Sequence, residues 1–130
     1  MTNTVAGWTP ELFARFWAAP DPTPLPGFVT DDVVGHWPGN RVVRGSRDYI
    51  QALEDLMELL PDIRLEVAAG AMNGEYGFVR WIMHATGKNG PFQLGGADCI
   101  TVRDGLVCEN HINFDAATFH ELSGYRLPIG

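Results

Sequence analysis

Basic residues are scarce in this chain, which has a single lysine, Lys88, and eight arginines scattered along 130 residues. Acidic residues outnumber them and give a formal net charge of −7. Nucleic acids and anionic membrane surfaces are bound through clustered positive charge, so we expect neither as a partner. No apolar run approaches the ~20 residues that span a bilayer, and the first residues lack the pattern of a secretory signal. We therefore expect a cytoplasmic protein that does not bind membranes.

Cysteine is rarer than the basic residues, with Cys99 and Cys108 as the two examples. They flank a predicted turn, so a disulfide is conceivable if the strand register allows it, although reduced side chains are commoner in a cytosolic domain. Neither a CxxC motif nor a Cys/His ligand spacing occurs, and the histidines and acids are not closely spaced, so we predict no metal site. Phosphate-binding glycine loops and a nucleophile elbow are also missing, and we expect no cofactor.

Apolar residues make up 45% of the chain. That is enough to build the core of one ordinary domain spanning residues 1–130. Thr9 followed by Pro10 predicts a helix start, and a proline-rich stretch at 19–27 ends that helix. Ser46 is the predicted N-cap of a second helix, which Pro61 terminates.

Alternating apolar residues predict strands at 33–37, 41–44, 63–67, 76–86, 92–102 and 106–114. Helices followed by consecutive antiparallel strands are typical of an α+β fold, with helices packed on one face of a curved sheet.

Asp98 is the most informative residue, because it lies in an apolar hairpin where burial of a charge costs several kcal/mol. A three-residue turn at 103–105 pairs Asp98 with Asn110, Gly96 with Ile112 and Ile100 with Cys108, and places Asp98 on the apolar face. A two-residue turn would instead pair Asp98 with His111 and mix the faces. We favour the first register.

The preceding predicted hairpin bears on the same question, namely whether Asp98 lies on the concave face of the sheet. A two-residue Lys88-Asn89 turn pairs Trp81 with Gly96 and Val79 with Asp98, which leaves room for the tryptophan on the concave face. A slip of one residue would put Arg80 opposite Asp98 as an ion pair, and that purely structural explanation of the carboxylate stays open.

Several local motifs spread along most of the chain, together with the element order, resemble the nuclear transport factor 2-like superfamily. The motifs are Phe28-Val-Thr-Asp-Asp-Val-Val34, Arg44-Gly45 before the second helix, Val79-Arg-Trp81, Arg103-Asp-Gly105-Leu-Val and Phe114-Asp115. The superfamily includes ketosteroid isomerases and SnoaL-like polyketide cyclases. The resemblance implies a cone-shaped domain with a curved antiparallel sheet and helices on its concave face. It further implies one enclosed apolar pocket and homodimerisation through the outer sheet face.

Matching the ketosteroid isomerase pattern residue by residue gives candidate roles. His36 stands where that family has its carboxylate base, and Asp98 stands where a protonated aspartic acid donates to the oxyanion. Phe16 replaces the tyrosine that completes the family's oxyanion hole. Asn110 is the predicted neighbour that orients Asp98.

Two functional hypotheses follow. The first is a cofactor-free enzyme, an isomerase or aldol-type cyclase, in which His36 removes a proton next to a carbonyl and Asp98, aided by Asn110, acts as the acid or oxyanion donor. The second is a non-catalytic domain that binds an apolar small molecule, which the missing hydroxyl at Phe16 favours. In both, the predicted ligand-binding residues are Phe16, Trp17, Trp37, Met57, Val79, Trp81, Met83, Ile112 and Phe114.

Overall fold

The computed structural model describes residues 7–129 as three α-helices and one six-stranded sheet. The helices are α1 (Pro10–Ala18), α2 (Ser46–Leu59) and α3 (Ala116–Ser123), with a short 3-10 turn at Leu25–Gly27. The strands are β1 (Val29–Trp37), β2 (Arg41–Arg44), β3 (Arg64–Asn73), β4 (Tyr76–Gly87), β5 (Gly90–Arg103) and β6 (Leu106–Asn113). Within this part of the chain no helix is long and apolar enough to cross a membrane.

The predicted α+β fold is confirmed, and the sheet is curved and unclosed, with strand order β2-β1-β6-β5-β4-β3. The β1–β2 pair and the β3–β4–β5–β6 meander are antiparallel, but β1 and β6 pair in parallel, so the sheet is mixed. This parallel contact joins the first strand pair to the four-strand meander and brings residues about 75 positions apart side by side.

The start of α1 agrees with the sequence prediction. Thr9 is the N-cap, and its side-chain oxygen accepts from the Leu12 backbone N–H at 3.1 Å, followed by Pro10 at the first helical position. The helix buries Phe13 and Trp17 against the sheet.

Replacing Thr9 with alanine should destabilise the protein by about 1 kcal/mol, because one N-terminal amide of α1 loses its acceptor. Thermal unfolding should show a fall in Tm of a few degrees. Thr23→Ala is the matched control, since Thr23 bonds to Asp21 in an exposed loop. An equal fall in both variants would contradict a specific capping role.

The start of α2 corrects the prediction that Ser46 is its N-cap. Gly45 occupies that position with φ +88°, and Ser46 is the first helical residue. The Tyr49 amide donates to the Gly45 carbonyl at 2.9 Å. A left-handed φ is accessible to glycine without strain, which lets the chain turn directly from β2 into the helix.

The β4–β5 hairpin has the predicted register. Gly87 pairs with Gly90 across the two-residue turn, and Trp81 pairs with Gly96 and Val79 with Asp98. The slipped alternative is excluded: Arg80 pairs with Ala97 and its side chain is exposed, so no Arg80–Asp98 ion pair forms.

The β5–β6 hairpin corrects the predicted register. The turn has two residues, Asp104 and Gly105, both with positive φ, and a register shift after Thr101 leaves Cys108 as an extra residue in β6. Asp98 therefore pairs with Ile112 and Ile100 with Asn110.

The extra residue in β6 shifts the alternation of that strand by one position. Asn110 and Ile112 therefore face the same side of the sheet as Asp98, as the predicted three-residue turn also required. Asp98, Ile100, Asn110 and Ile112 are buried together as predicted, whereas Val107 is buried in place of Leu106 and Cys108. Both cysteines are free thiols.

Candidate functional site

A hollow lies between the helices and the inner face of the sheet. Its cavity volume is about 80 Å³, and the atom-free space in the hollow, including the part open to solvent, is about 770 Å³. Seven of the nine predicted ligand-binding residues line it, namely Phe16, Trp17, Trp37, Trp81, Met83, Ile112 and Phe114. Met57 packs at the edge of the core and Val79 is buried, but neither lines the hollow.

Asp98 lies on the wall of this hollow with only 7% of its surface exposed. Its Oδ1 accepts from the Trp81 indole N–H at 3.0 Å, and its Oδ2 accepts from Asn110 Nδ2 at 3.1 Å. Burial raises the pKa of the carboxyl to about 6, and the two hydrogen bonds oppose that rise in part. The predicted Asp98–Asn110 contact is thus present, and Trp81 adds a second donor.

Tyr49 is the polar residue that the sequence reasoning missed. It projects from α2 into the hollow, and its hydroxyl accepts from Asn110 Nδ2 at 3.0 Å. Gly35 on β1 makes room for it, since a Cβ there would lie 2.9 Å from the tyrosine ring. The sequence does contain a pattern that places Tyr49 on the inward face of α2, because it precedes Leu53 and Leu56 at helical spacing.

Two buried polar atoms in the hollow have no protein partner among the described residues. They are the indole nitrogen of Trp37 and Oδ1 of Asn110. The Tyr49 hydroxyl, which already accepts from Asn110, has no acceptor there for its own proton. Buried polar groups are normally satisfied, so these atoms are available to a bound molecule or water.

His36 does not lie with Asp98, which corrects the prediction that the two share one pocket. Alternation along β1 turns Val33 and Trp37 inward and His36 outward, so its ring lies on the opposite face of the sheet. There His36 Nε2 is 2.8 Å from Glu109 Oε2, and its ring stacks on that of His111 with 4.0 Å between centroids.

We call His36, Glu109 and His111 the outer histidine cluster. His36 is far in sequence from Glu109 and His111, and the parallel pairing of β1 with β6 brings it beside them. His84 also faces outward, and its Nε2 is 2.9 Å from Glu66 Oε1.

Comparison with known proteins gives consistent results. A sequence model of the SnoaL-like domain matches residues 11–110. No curated protein matches the chain significantly.

Solved structures that share the fold include the following three. TerC, co-crystallised with polyporic acid, has a TM-score of 0.73 at 20% identity over 89% of this chain and 96% of its own. A Catenulispora acidiphila protein with a ketosteroid isomerase-like fold, in complex with trimethylamine, has 0.77 at 13% identity over 95% and 99%. IdmH from Streptomyces antibioticus, a proposed polyketide cyclase, has 0.74 at 18% identity over 89% and 99%. At these identities the likeness establishes the fold and not the reaction.

Proposed function

The chain belongs to the SnoaL-like domain family, and on that premise we propose that it is a small-molecule cyclase or isomerase whose reaction takes place around Asp98. The observation that carries the proposal is a buried carboxyl with a pKa of about 6 on the wall of an apolar hollow. Such a pKa lies close to neutrality, where a group can both accept and return a proton.

Asp98 is the acid–base group in this proposal. In its ionised form it removes a proton from a carbon next to the substrate carbonyl, and in its neutral form it returns the proton at the end of the reaction. Trp81 and Asn110 hold the two carboxylate oxygens in place, so Asn110 acts as a positioning residue. His36 has no part in this chemistry, because its side chain is on the outer face.

The developing enolate oxygen requires hydrogen-bond donors. The Tyr49 hydroxyl and the Trp37 indole N–H line the hollow and lack protein acceptors among the described residues. Donors aimed at an oxyanion in a dry site contribute strongly to rate. Tyr49 thereby supplies, from α2, the hydroxyl that Phe16 does not provide on α1.

The substrate class follows from the lining. Apart from these polar groups, the walls are aromatic and aliphatic, which suits an apolar molecule with a carbonyl. The cavity volume of about 80 Å³ is smaller than that of a typical ligand site, which is roughly 300 Å³ or more. Half-buried lining residues such as Leu12, Phe16 and Phe28 are the side chains that a ligand would displace.

Proton exchange at carbon is the direct test, since enolisation replaces the α-hydrogen of a ketone by deuterium in D2O even without net turnover. We expect the protein to accelerate exchange, followed by NMR, in a 3-oxo-Δ5-steroid or a polyketide-like β-diketone. The rate should rise with pH through about 6, because the ionised form of Asp98 is the base.

Variants assign the roles. Asp98→Asn should reduce exchange by about 10²-fold or more, and Tyr49→Phe by roughly 10²–10³-fold. Tyr76→Phe is the matched control, because Tyr76 is exposed on the outer face, and it should leave the rate unchanged. Exchange that survives Asp98→Asn would overturn the mechanism.

A non-catalytic binding domain is the second candidate, favoured by the mainly apolar lining and by Phe16. Saturable binding of the same ketones with no exchange at any pH would select it over the enzyme.

A further inference from the structure

The outer histidine cluster forms a group of three metal-ligating side chains that the proposed chemistry does not use. Their ligand atoms lie within 4.8 Å of one another. One carboxylate oxygen, Glu109 Oε2, is 2.8 Å from His36 Nε2 and 3.6 Å from His111 Nε2. Both imidazoles therefore present the same nitrogen to the same oxygen.

We propose that His36, Glu109 and His111 bind a divalent transition-metal ion of the zinc type on the outer face of the sheet. Two imidazole nitrogens and one carboxylate oxygen are a ligand set that Zn²⁺ and its neighbours in the first transition row accept. This site is separate from the hollow, because the three side chains project from the other face of β1 and β6.

The distances suit the ion. With metal–ligand bonds of about 2.0–2.1 Å, two ligands of a tetrahedral zinc stand roughly 3.3 Å apart. The observed 2.8 and 3.6 Å fall on either side of that value, so each of these two separations needs to change by about half an ångström or less.

The backbone holds the ligands in position. His36 and His111 are direct partners in the parallel β1–β6 ladder, and Glu109 lies two residues before His111 on the same face. Both strands are interior to the sheet. Ligands carried on rigid neighbouring strands need little ordering when the ion binds.

The side chains are free to make the rotations required. The stacked rings are parallel within 1°, so both rings must rotate out of this stacking for their lone pairs to converge on one ion. The side chains of His36, Glu109 and His111 are 32%, 42% and 48% exposed, and packing does not prevent this movement. The two histidines also border an open depression, which leaves space for water at the remaining coordination positions.

Other charges at that depression are already engaged. Arg41 donates to the Ile129 carbonyl, and the Asp115 carboxylate accepts from the Ala117 amide and the Thr118 hydroxyl at the start of α3. Glu109 is thus the carboxylate that faces the two imidazoles.

Titration of tag-free, chelator-treated full chain with Zn²⁺ by calorimetry, and with Co²⁺ by visible absorption, tests the site. We expect one saturable equivalent per chain. His111→Ala and Glu109→Gln should each weaken binding at least about 100-fold, since even indirect partners of a metal ligand typically contribute 10–100-fold.

His84→Ala is the matched control, because it breaks an outward-facing His–Glu pair of similar geometry to which residues 7–129 add no third ligand. It should leave the affinity unchanged. Absence of saturable binding, equal weakening in His84→Ala, or one ion per two chains would each overturn the proposal.

Discussion

Asp98→Asn is expected to gain stability relative to the unsubstituted protein as the pH rises. The folded protein holds the proton of Asp98 up to a pKa of about 6, whereas the unfolded chain releases it near the ordinary value of 3.8. The folded state therefore binds more protons between these values, and its stability falls as pH increases through about 6. Asparagine is neutral at every pH and removes this loss.

The size of the effect follows from the shift in pKa. Each unit corresponds to about 1.4 kcal/mol, so the free energy of unfolding of Asp98→Asn should rise by about 2–3 kcal/mol relative to the parent between pH 4 and pH 8. Urea denaturation across that range measures it. The Asn110 amide must rotate so that its oxygen accepts from the new amide, which adds an offset independent of pH.

Asp62→Asn provides a control of opposite sign. The Thr86 hydroxyl and amide hydrogen-bond to Asp62 and lower the pKa of its carboxyl. Its stabilising contribution is therefore present above the ordinary pKa and lost in acid, and its removal should reduce stability at pH 8. Parallel behaviour of the two variants would contradict the buried, proton-holding state of Asp98.

Gly96→Ala is expected to destabilise the protein by about 1–3 kcal/mol, because it overfills a closed site. A Cβ on Gly96 would lie 2.3 Å from Trp81 Cη2 and 2.7 Å from the Asn113 carbonyl oxygen. Trp81 is 2% exposed and has little space to move. Any displacement of its indole also lengthens the 3.0 Å bond to Asp98.

The neighbouring residue offers a close control for this substitution. A Cβ on Gly95 would come no nearer than 4.0 Å to the Trp81 carbonyl oxygen, so Gly95→Ala should be nearly neutral. Urea denaturation and tryptophan fluorescence of the two variants separate local crowding at Trp81 from the general effect of losing a glycine. Equal destabilisation would show that the contact with Trp81 is not the cause.

Local features allowed most of the fold to be predicted from the sequence. Gly87 and Gly90 frame the β4–β5 turn, and the alternation on either side determines which residues face Asp98. No local sequence pattern indicated the bulge at Cys108. The predicted pairing of β5 with β6 was therefore wrong, although Asn110 and Ile112 were correctly predicted to share a face with Asp98.

The predictions that failed concern residues whose positions depend on contacts between segments distant in the sequence. His36 matched a family position by spacing, but the alternation of β1 directs its side chain outward. The outer histidine cluster forms because β1 pairs with β6, and no local sequence pattern predicts that pairing. Tyr49 lay in a visible helical stripe, and its role depends on the distant Asn110.

The parallel contact between β1 and β6 also bears on the order in which the molecule assembles. The β1–β2 hairpin is complete by Arg44, yet the strand it joins does not begin until Leu106. Closing so long a loop carries an entropic cost, and contacts between residues far apart in the sequence are associated with slow folding. We therefore expect β1 to join β6 late in folding, and this pairing completes the wall of the hollow.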